Sequence, residues 1–518
     1  MTTNRDVAAA WSYHNGTKHS LESIRRNPHF LDWDNQPLAF KIYRDVESVP
    51  LPQEWPAVQT STLQAIATLP AVPQQEMIPD LSRLAALLYL SAGITKRRTY
   101  PGGEIYFRAA ACTGALYHID LYLVCGDLPE LPAGVYHFGP HDFALHRLRS
   151  GDFRGVLVHA SGEEAAITHA PVTVVCTSTY WRNAWKYQAR TYRHCFWDAG
   201  TLLANFLATA SALSTPTRIV AGFVDSEVNC LLDLDDEREV ALALAPVGFS
   251  RSAAPETAPT VAPLHLQTAP LSKTEIDYPT IRAMHAASSL HTAEEVRAWR
   301  GAGTPHREPE PQGRLFPLRE TPAAQLPPAP LEDIIRHRGS TRQFARVAIS
   351  FAQLSTLLLG VTKGAPTDFL SSPAASLTDL YLIVHAVDGL PSGAYVYHRD
   401  RQALELLREG NFRKEAGYLG LGQQLPADAG VDIFCLTTLS AVLEQLGNRG
   451  YRAAQLEAAI IGGKCYLAAY GQGLGATGLT FFDDDVTAFF SPHAAGKSVM
   501  FLTAIGKSMK RKVLRAES

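Results

Sequence analysis

The chain has 518 residues, 46% of them hydrophobic and 19% charged, with a formal net charge of −3 and a pI near 6.7. That length exceeds what one hydrophobic core holds, so at least two domains are expected. The near-neutral balance excludes bulk electrostatic attraction to nucleic acid or to an anionic membrane.

In chain order, residues 1–60 form an arm rich in aromatics, Asn and Pro, too aromatic for a disordered tail. Its first 36 residues are polar, and no signal peptide is expected. Residues 61–250 form a first domain. Its helix Leu81–Leu90 leads to a strand at Leu121–Val124 and a Gly/Tyr hairpin at Gly134–Leu148. A strand at Val172–Thr177 precedes an apolar helix, Cys195–Leu213. That helix carries Asp198 and Asn205, so it reads as a buried helix, not a membrane span. A loop with Phe223 and Asp225 and a strand at Val240–Val247 close the domain. Residues 251–330 read as a Pro/Ala-rich linker with one helix at Ile281–Arg300.

Residues 331–507 repeat the order as a second domain: helix Phe351–Leu359, strand Leu380–His385, hairpin Gly393–Leu407, strand Val431–Thr437, helix Leu456–Leu474 and strand Val499–Ala504. Residues 508–518 are a basic tail. Short β-branched runs and 3.6-residue periodicities together predict an α+β fold, a mostly antiparallel central sheet flanked by helices.

The two domains are one sequence used twice. At a constant offset of 259, Asp120-Leu121-Tyr122 meets Asp379-Leu380-Tyr381, Gly134 and Tyr136 meet Gly393 and Tyr395, and Cys176 meets Cys435. Arg190, Tyr192 and Arg193 meet Arg449, Tyr451 and Arg452, and Asp225 meets Asp484. The expectation is an intramolecular pseudo-dimer, with the arm outside the repeat; further homodimerisation is open. The seven cysteines are scattered and odd in number, which suits free thiols in a reducing, cytoplasmic setting. No CxxC or HExxH occurs, His137, His141 and His146 are not spaced as ligands, and no metal is expected.

Two local signals carry chemistry. Arg336 to Arg342 sets guanidiniums around Gly339, Ser340 and Thr341, a donor set suited to phosphate, although a basic run alone is usually a solvated face. Gly471 to Gly478 is glycine-rich and brings backbone N–H groups close to a ligand, or is a plain turn. It is not a dinucleotide fingerprint, because it follows a helix.

With these residues in view, the second domain resembles the nitroreductase-type flavoproteins. Arg338, Ser340 and Arg342 match the family's Arg-x-Ser-x-Arg segment, which implies contacts to the phosphate and ring edge of FMN. Gly473 to Phe482 matches its late glycine loop, which implies that Thr477, Gly478, Leu479 and Thr480 approach the flavin N5. Lys497 matches a late basic residue that reaches the phosphate. The first domain resembles the SagB-type azoline dehydrogenases. Ala111, Cys112, Thr113 and Gly114 fall on that branch's "PSaGALYP" segment, and Lys186-Tyr187-x-x-Arg190-x-Tyr192-Arg193 on its "KYxxRxYR". The resemblance implies an acid–base role for Lys186 and Tyr187; neighbouring side chains do not by themselves share a pocket.

The departures are complementary. The first domain lacks the Arg-x-Ser-x-Arg segment and has lost the glycines of the loop, at Leu213 to Arg218. The second has degraded the GALYP segment to Ser371–Leu377 and carries Gln445-Leu446 in place of Lys186-Tyr187. In family dimers each flavin lies between subunits, so one composite site and one FMN per chain are expected. Three functions follow: an FMN-dependent dehydrogenase of azoline rings in a peptide; an NAD(P)H-linked reductase of small nitroaromatics or quinones; or a non-catalytic flavin- or peptide-binding scaffold.

Overall fold

The computed structural model describes residues 3–69, 75–100, 103–257, 259–300, 310–372 and 375–509. Residues 305–309, Pro373, Ala374 and the tail from residue 510 lie outside them. Each half is built on an antiparallel sheet. In spatial order, the first runs Glu47–Pro50, Ala144–Ser150, Gly134–Gly139, Ile119–Cys125, Val172–Thr179 and Glu239–Val247. The second runs Gly475–Leu479, Ser498–Gly506, Val431–Thr437, Asp379–Val384, Gly393–His398, Ala403–Glu409 and Arg314–Pro317. The repeat extends to register: Leu121 lies opposite Cys176, and Leu380 opposite Cys435. The ladder to each closing strand slips at the same step, Cys176/Thr177 and Cys435/Leu436. The fold is the expected α+β arrangement, with helices against sheets buried on both faces.

Two long helices, Thr191–Ala212 and Asn448–Gly471, cross at the centre. Both begin before the apolar runs that announce them, because their first turns carry buried arginines. The crossing is self-complementary, as a two-fold interface requires. Gly200 faces Ala459, its own repeat mate, and Gly463 faces Ala204, again its mate. Trp197 Nε1 donates to Gln455 Oε1 across the contact at 2.5 Å. Burial removes each helix almost entirely from water, so the polar residues they carry must be paired internally.

That pairing is reciprocal. Arg190 and Arg193 bind Asp483 of the other half at 3.1 and 2.6 Å, and Arg449 and Arg452 bind Asp225 at 2.6 Å each. Desolvation alone would raise the two carboxyl pKa values; the paired guanidiniums win and hold both below the usual range. Asp483, not Asp484, plays the part of Asp225. The helices that these residues open start at 225 and 483, so the 259 offset slips by one there.

The arm is not outside the repeat. Arg193 Nη2 donates to His14 O and its Nε to Thr17 Oγ1; Arg452 Nη2 donates to His285 O and its Nε to Ser288 Oγ. His19 exchanges two hydrogen bonds with Asp483, as Leu290 does with Asp225. The arm helices Ala8–Gly16 and Leu21–Arg26 therefore correspond to Pro279–Ala287 and Ala293–Arg300. The expected single helix Ile281–Arg300 is thus two helices, broken at the residues that bind Asp225 and Arg452. Sequence comparison misses this because the offset changes and the recognition uses hydroxyls and carbonyls that many residues supply.

Candidate functional site

A cavity of about 420 Å³ opens between the halves. The first half lines it with Ala111, Cys112, Thr113, Gly114, Lys186 and Tyr187; the second with Ser340, Arg342, Thr477, Gly478, Leu479 and Thr480. Twelve of the fourteen residues singled out from sequence thus meet in one composite space. Ala115, His194, Trp197, Asp198, Thr201, Gln423, Tyr466 and Phe501 complete the lining. A cavity of about 390 Å³ under the arm contains none of the fourteen, and its Lys41 is already paired with Glu239 at 2.6 Å.

Two expected phosphate ligands lie elsewhere. Arg338 does not line the cavity: its Nε and Nη2 donate to Ala109 O and Arg108 O at 2.6 and 2.9 Å, tying the halves together. Lys497 does not line it either. Its Nζ lies 2.5 Å from Asp379 and 3.1 Å from Thr438 Oγ1. Asp379 is the mate of Asp120, whose counter-ion is Arg182, and Thr438 is the mate of Thr179, which Arg182 also contacts. Position 441, the mate of Arg182, is alanine, so Lys497, just before the strand Ser498–Gly506, replaces that helix-borne guanidinium.

Lys186 and Tyr187 both face the cavity because they end a short helix, Tyr180–Tyr187. Gln188 then turns the chain at φ +50°, as its mate Gly447 does at φ +65°. A non-glycine residue there bears backbone strain beside the site. Burial pushes the Lys186 ammonium below the ordinary lysine pKa, and the charge of Arg342 pushes it the same way. Arg342 is exposed at the rim. Tyr187 stands edge-on to His194 with ring centroids 4.5 Å apart. Its phenol is raised by burial, then by Asp198 and Cys112, and so stays protonated.

The rim Ala111–Gly114 is set by Asp198, read from sequence only as a charge inside an apolar helix. Its carboxylate accepts from Thr113 N at 2.9 Å, Thr113 Oγ1, Cys112 Sγ at 3.0 Å and His118 Nε2 at 2.8 Å. Burial and Asp198 raise the Cys112 thiol pKa. Cys112 is therefore a protonated hydrogen-bond donor, not a redox thiolate. Glu457, the mate of Asp198, binds Ser376, Leu377 and Thr378 in the same manner. The late glycine segment is a strand, Gly475–Leu479, rather than a loop, and Gly478 N donates to Tyr466 Oη at 2.5 Å.

The donor set fits FMN. His194 Nδ1 donates to Asn183 Oδ1 at 2.9 Å, and burial holds the ring neutral, which leaves the buried Nε2 as an acceptor with no partner in the protein. Thr480 Oγ1 is likewise buried without a partner. With Trp197, Tyr187, Tyr466 and Phe501 as walls, the cavity offers aromatic faces, unused polar atoms and two cations, the requirements of a planar ring system with an anionic tail.

The pseudo-symmetric position is filled by the chain itself. Ala221 N and Gly222 N, mates of Thr480 and Phe481, donate to Asp368 at 2.8 Å each. Ile219 N, mate of Gly478, donates to Pro366 O at 2.7 Å. Glu164, mate of Gln423, binds Arg218 and Arg300. The Trp299 indole donates to Leu446 O, at the mate of Tyr187, and lies so close that a Cβ on Gly222 would be 2.9 Å from its ring.

The sequence pattern of the nitroreductase family matches residues 335–507. A candidate nitroreductase of Methanocaldococcus jannaschii is 26% identical over 168 residues, 32% of this chain and 80% of that protein. The microcin B17-processing protein McbC of Escherichia coli is 28% identical over 150 residues, 28% of this chain and about half (51%) of McbC. The crystal structure of a candidate nitroreductase from Anabaena variabilis superposes over 97% of this chain and 99% of its own, with TM-score 0.76 and 26% identity. Among the described residues no helix is long and apolar enough to cross a membrane. Residues 335–507 thus match the nitroreductase family, and the whole chain shares the two-halved fold of the candidate nitroreductase from Anabaena variabilis, with similarity to McbC over 28% of its length.

Proposed function

We propose that this chain is an FMN-dependent dehydrogenase that oxidises azoline rings in a peptide, with one FMN per chain in the composite cavity. The observation that carries the reading is that Lys186 and Tyr187, adjacent in sequence, both face a cavity shared between the halves. FMN, when bound, supplies a two-electron acceptor for the ring hydrogen. Arg342, at the rim, would hold its phosphate in place of Arg338 and Lys497. Thr480 Oγ1 and His194 Nε2 offer a donor and an acceptor for its polar edges. Lys186, its pKa lowered, is suited to take the proton lost from the neighbouring ring carbon, and protonated Tyr187 to hold a ring heteroatom by its hydroxyl. Trp197 and Phe501 keep water from the reacting face. We further propose that the functional units are residues 1–250 and about 279–507, each with its own arm, rather than the divisions composition suggests.

The test combines flavin stoichiometry with turnover of a thiazoline-containing peptide. One FMN per chain and thiazole formation are expected, with Lys186→Ala losing about 10²–10⁴-fold in kcat while keeping its flavin. Two flavins per chain would refute the single site. Oxidation of NAD(P)H by a nitroaromatic without thiazole formation would assign a reductase, and no flavin after reconstitution a scaffold.

A further inference from the structure

The outer hairpin of the first sheet gathers three side chains that the composite cavity does not use. Strands Gly134–Gly139 and Ala144–Ser150 are joined by the turn 140–143, which Phe143 closes at φ +54°. His141 and Asp142 lie in the turn, and His146 is third in the returning strand. Asp142 stands between the two imidazoles: His146 Nε2 is 3.1 Å from its Oδ2, and His141 Nδ1 is 3.7 Å from its Oδ1. The rings are parallel to within 4°, with centroids 6.0 Å apart. One nitrogen of each histidine and one carboxylate oxygen all fall within 4.8 Å of one another. Spacing along the chain hides this, because the turn folds position 146 back onto 141.

The second half uses the same hairpin differently. At the 259 offset, Gly139, Asp142 and His146 correspond to His398, Arg401 and Glu405. There His398 Nε2 lies 2.7 Å from Glu405 Oε2, and Arg401 pairs with Glu310 at 2.5 Å, so those groups are satisfied within the protein. In the first half a Cβ at Gly139 would lie 2.4 Å from Asp142 Oδ1 and 2.6 Å from His146 Nε2. Gly139 is a strand residue without a positive φ, so the backbone does not call for glycine there. Its missing side chain instead leaves clear the place where two of the three donor atoms converge.

We propose that His141, Asp142 and His146 bind a divalent transition-metal ion, with zinc as the best match. Two imidazole nitrogens and one carboxylate oxygen suit zinc, whereas magnesium and calcium favour oxygen ligands alone. Ligands at about 2.0–2.2 Å from a tetrahedral zinc stand about 3.4 Å apart, so the donors close by about 1 Å at most. The His146, His141 and Asp142 side chains are 10%, 26% and 38% exposed, which leaves the fourth position to water from the solvent side. The His141 ring also packs on Phe40 of the arm at 5.6 Å, so the bound ion would pin both limbs of the hairpin and the arm beside them. None of the three residues lines the composite cavity, so the site stands independently of the flavin reaction.

The full chain as purified is stripped with a chelator and titrated with zinc chloride by calorimetry. Unfolding midpoints with and without zinc, and the visible d–d absorption of the cobalt-loaded protein, are measured in parallel. One saturable zinc per chain and a midpoint that rises with zinc are expected. His141→Gln and His146→Gln should each weaken binding about tenfold or more and remove the cobalt bands, with the metal-free midpoint unchanged. Gly139→Ala keeps all three ligands yet should weaken zinc to a similar degree, because its methyl displaces two donors. His159→Gln, at an exposed histidine on the helix Arg154–Ala160, should leave the Kd alone. Unchanged zinc affinity in both histidine variants overturns the proposal. Binding that survives them and is lost in Cys112→Ser assigns the ion to the Cys112–His118–Asp198 cluster and overturns it as well. So does the lack of saturable binding below about 1 mM zinc. Should the histidine variants fail to fold, Gly139→Ala decides alone, and full zinc affinity there overturns the site.

Discussion

Gly200→Ala tests whether the two halves are locked by their crossing helices. Two effects oppose each other. Alanine in place of a helical glycine gains about 1 kcal/mol through helix propensity. Its Cβ, however, would lie 2.5 Å from Ala459 Cβ, 2.8 Å from Leu456 O and 2.9 Å from Ile460 N. Two of these are backbone atoms, and a methyl has no rotamer by which to escape, so the helices must separate by about 1 Å to restore ordinary contact. Overpacking of a tight interior costs about 1–3 kcal/mol, and the upper end applies where backbone must move. The net expectation is destabilisation by about 2 kcal/mol, read as a lower midpoint of thermal or denaturant unfolding. Because Trp197, Asp198 and Thr201 line the cavity from the same turns, weaker flavin retention should accompany it. The control is built into the repeat: Gly200→Ala with Ala459→Gly removes the Cβ–Cβ contact and cancels the propensity terms, so stability should recover in part, the contacts to Leu456 O and Ile460 N remaining. A stabilised Gly200→Ala, or a swap no better than the single change, would refute the close two-fold contact.

Arg342→Gln removes a positive charge that helps to depress the Lys186 pKa. If the neutral amine is the base, activity rises with pH through that pKa, so the rising limb of the kcat/KM profile should move to higher pH; an unmoved limb would separate Lys186 from the reaction. Asp198→Ala leaves the donors of Thr113, Cys112 and His118 facing a void, and should cost at least about 2 kcal/mol and loosen flavin binding, measured by unfolding and by flavin content after gel filtration. Retained flavin with unchanged stability would show that the rim holds itself.

The α+β fold and the composite character of the site were legible because each rests on whole segments. The 259 offset carries register, bulges and helix order at once, and the reciprocal losses at Leu213–Arg218 and Ser371–Leu377 point to one shared site. Single cations were not legible. Arg338 and Lys497 match basic positions, but a guanidinium or ammonium goes to the acceptors the fold places within reach, and here those are Arg108 O, Ala109 O and Asp379. Asp198 carried a signal, a lone carboxylate in an apolar helix, that by itself told only against a membrane span. The filling of the second site by Trp299 and Asp368 depends on where a linker helix lies in space, and no local pattern near residue 299 encodes that.

Lys497 gives the sharpest separation between a motif match and a structural role. If it bound the cofactor phosphate, its loss would release flavin and leave the fold intact. The structure places it instead on Asp379, both side chains nearly buried at 11% and 7% exposed. Lys497→Met removes the ammonium from a nearly buried ion pair. Breaking one partner of such a pair costs about 3–5 kcal/mol. A large fall in unfolding midpoint is expected, with flavin per folded chain unchanged. The first half shows how the lesion can be repaired, because there Arg182 on the short helix neutralises Asp120. Ala441 occupies the equivalent helical position, where an arginine would restore the arrangement of the first half. Lys497→Met with Ala441→Arg should therefore recover most of the lost stability. Loss of flavin in the single variant at unchanged stability, or no recovery in the double, would return Lys497 to the cofactor and remove the argument that the two halves neutralise the same aspartate from different elements.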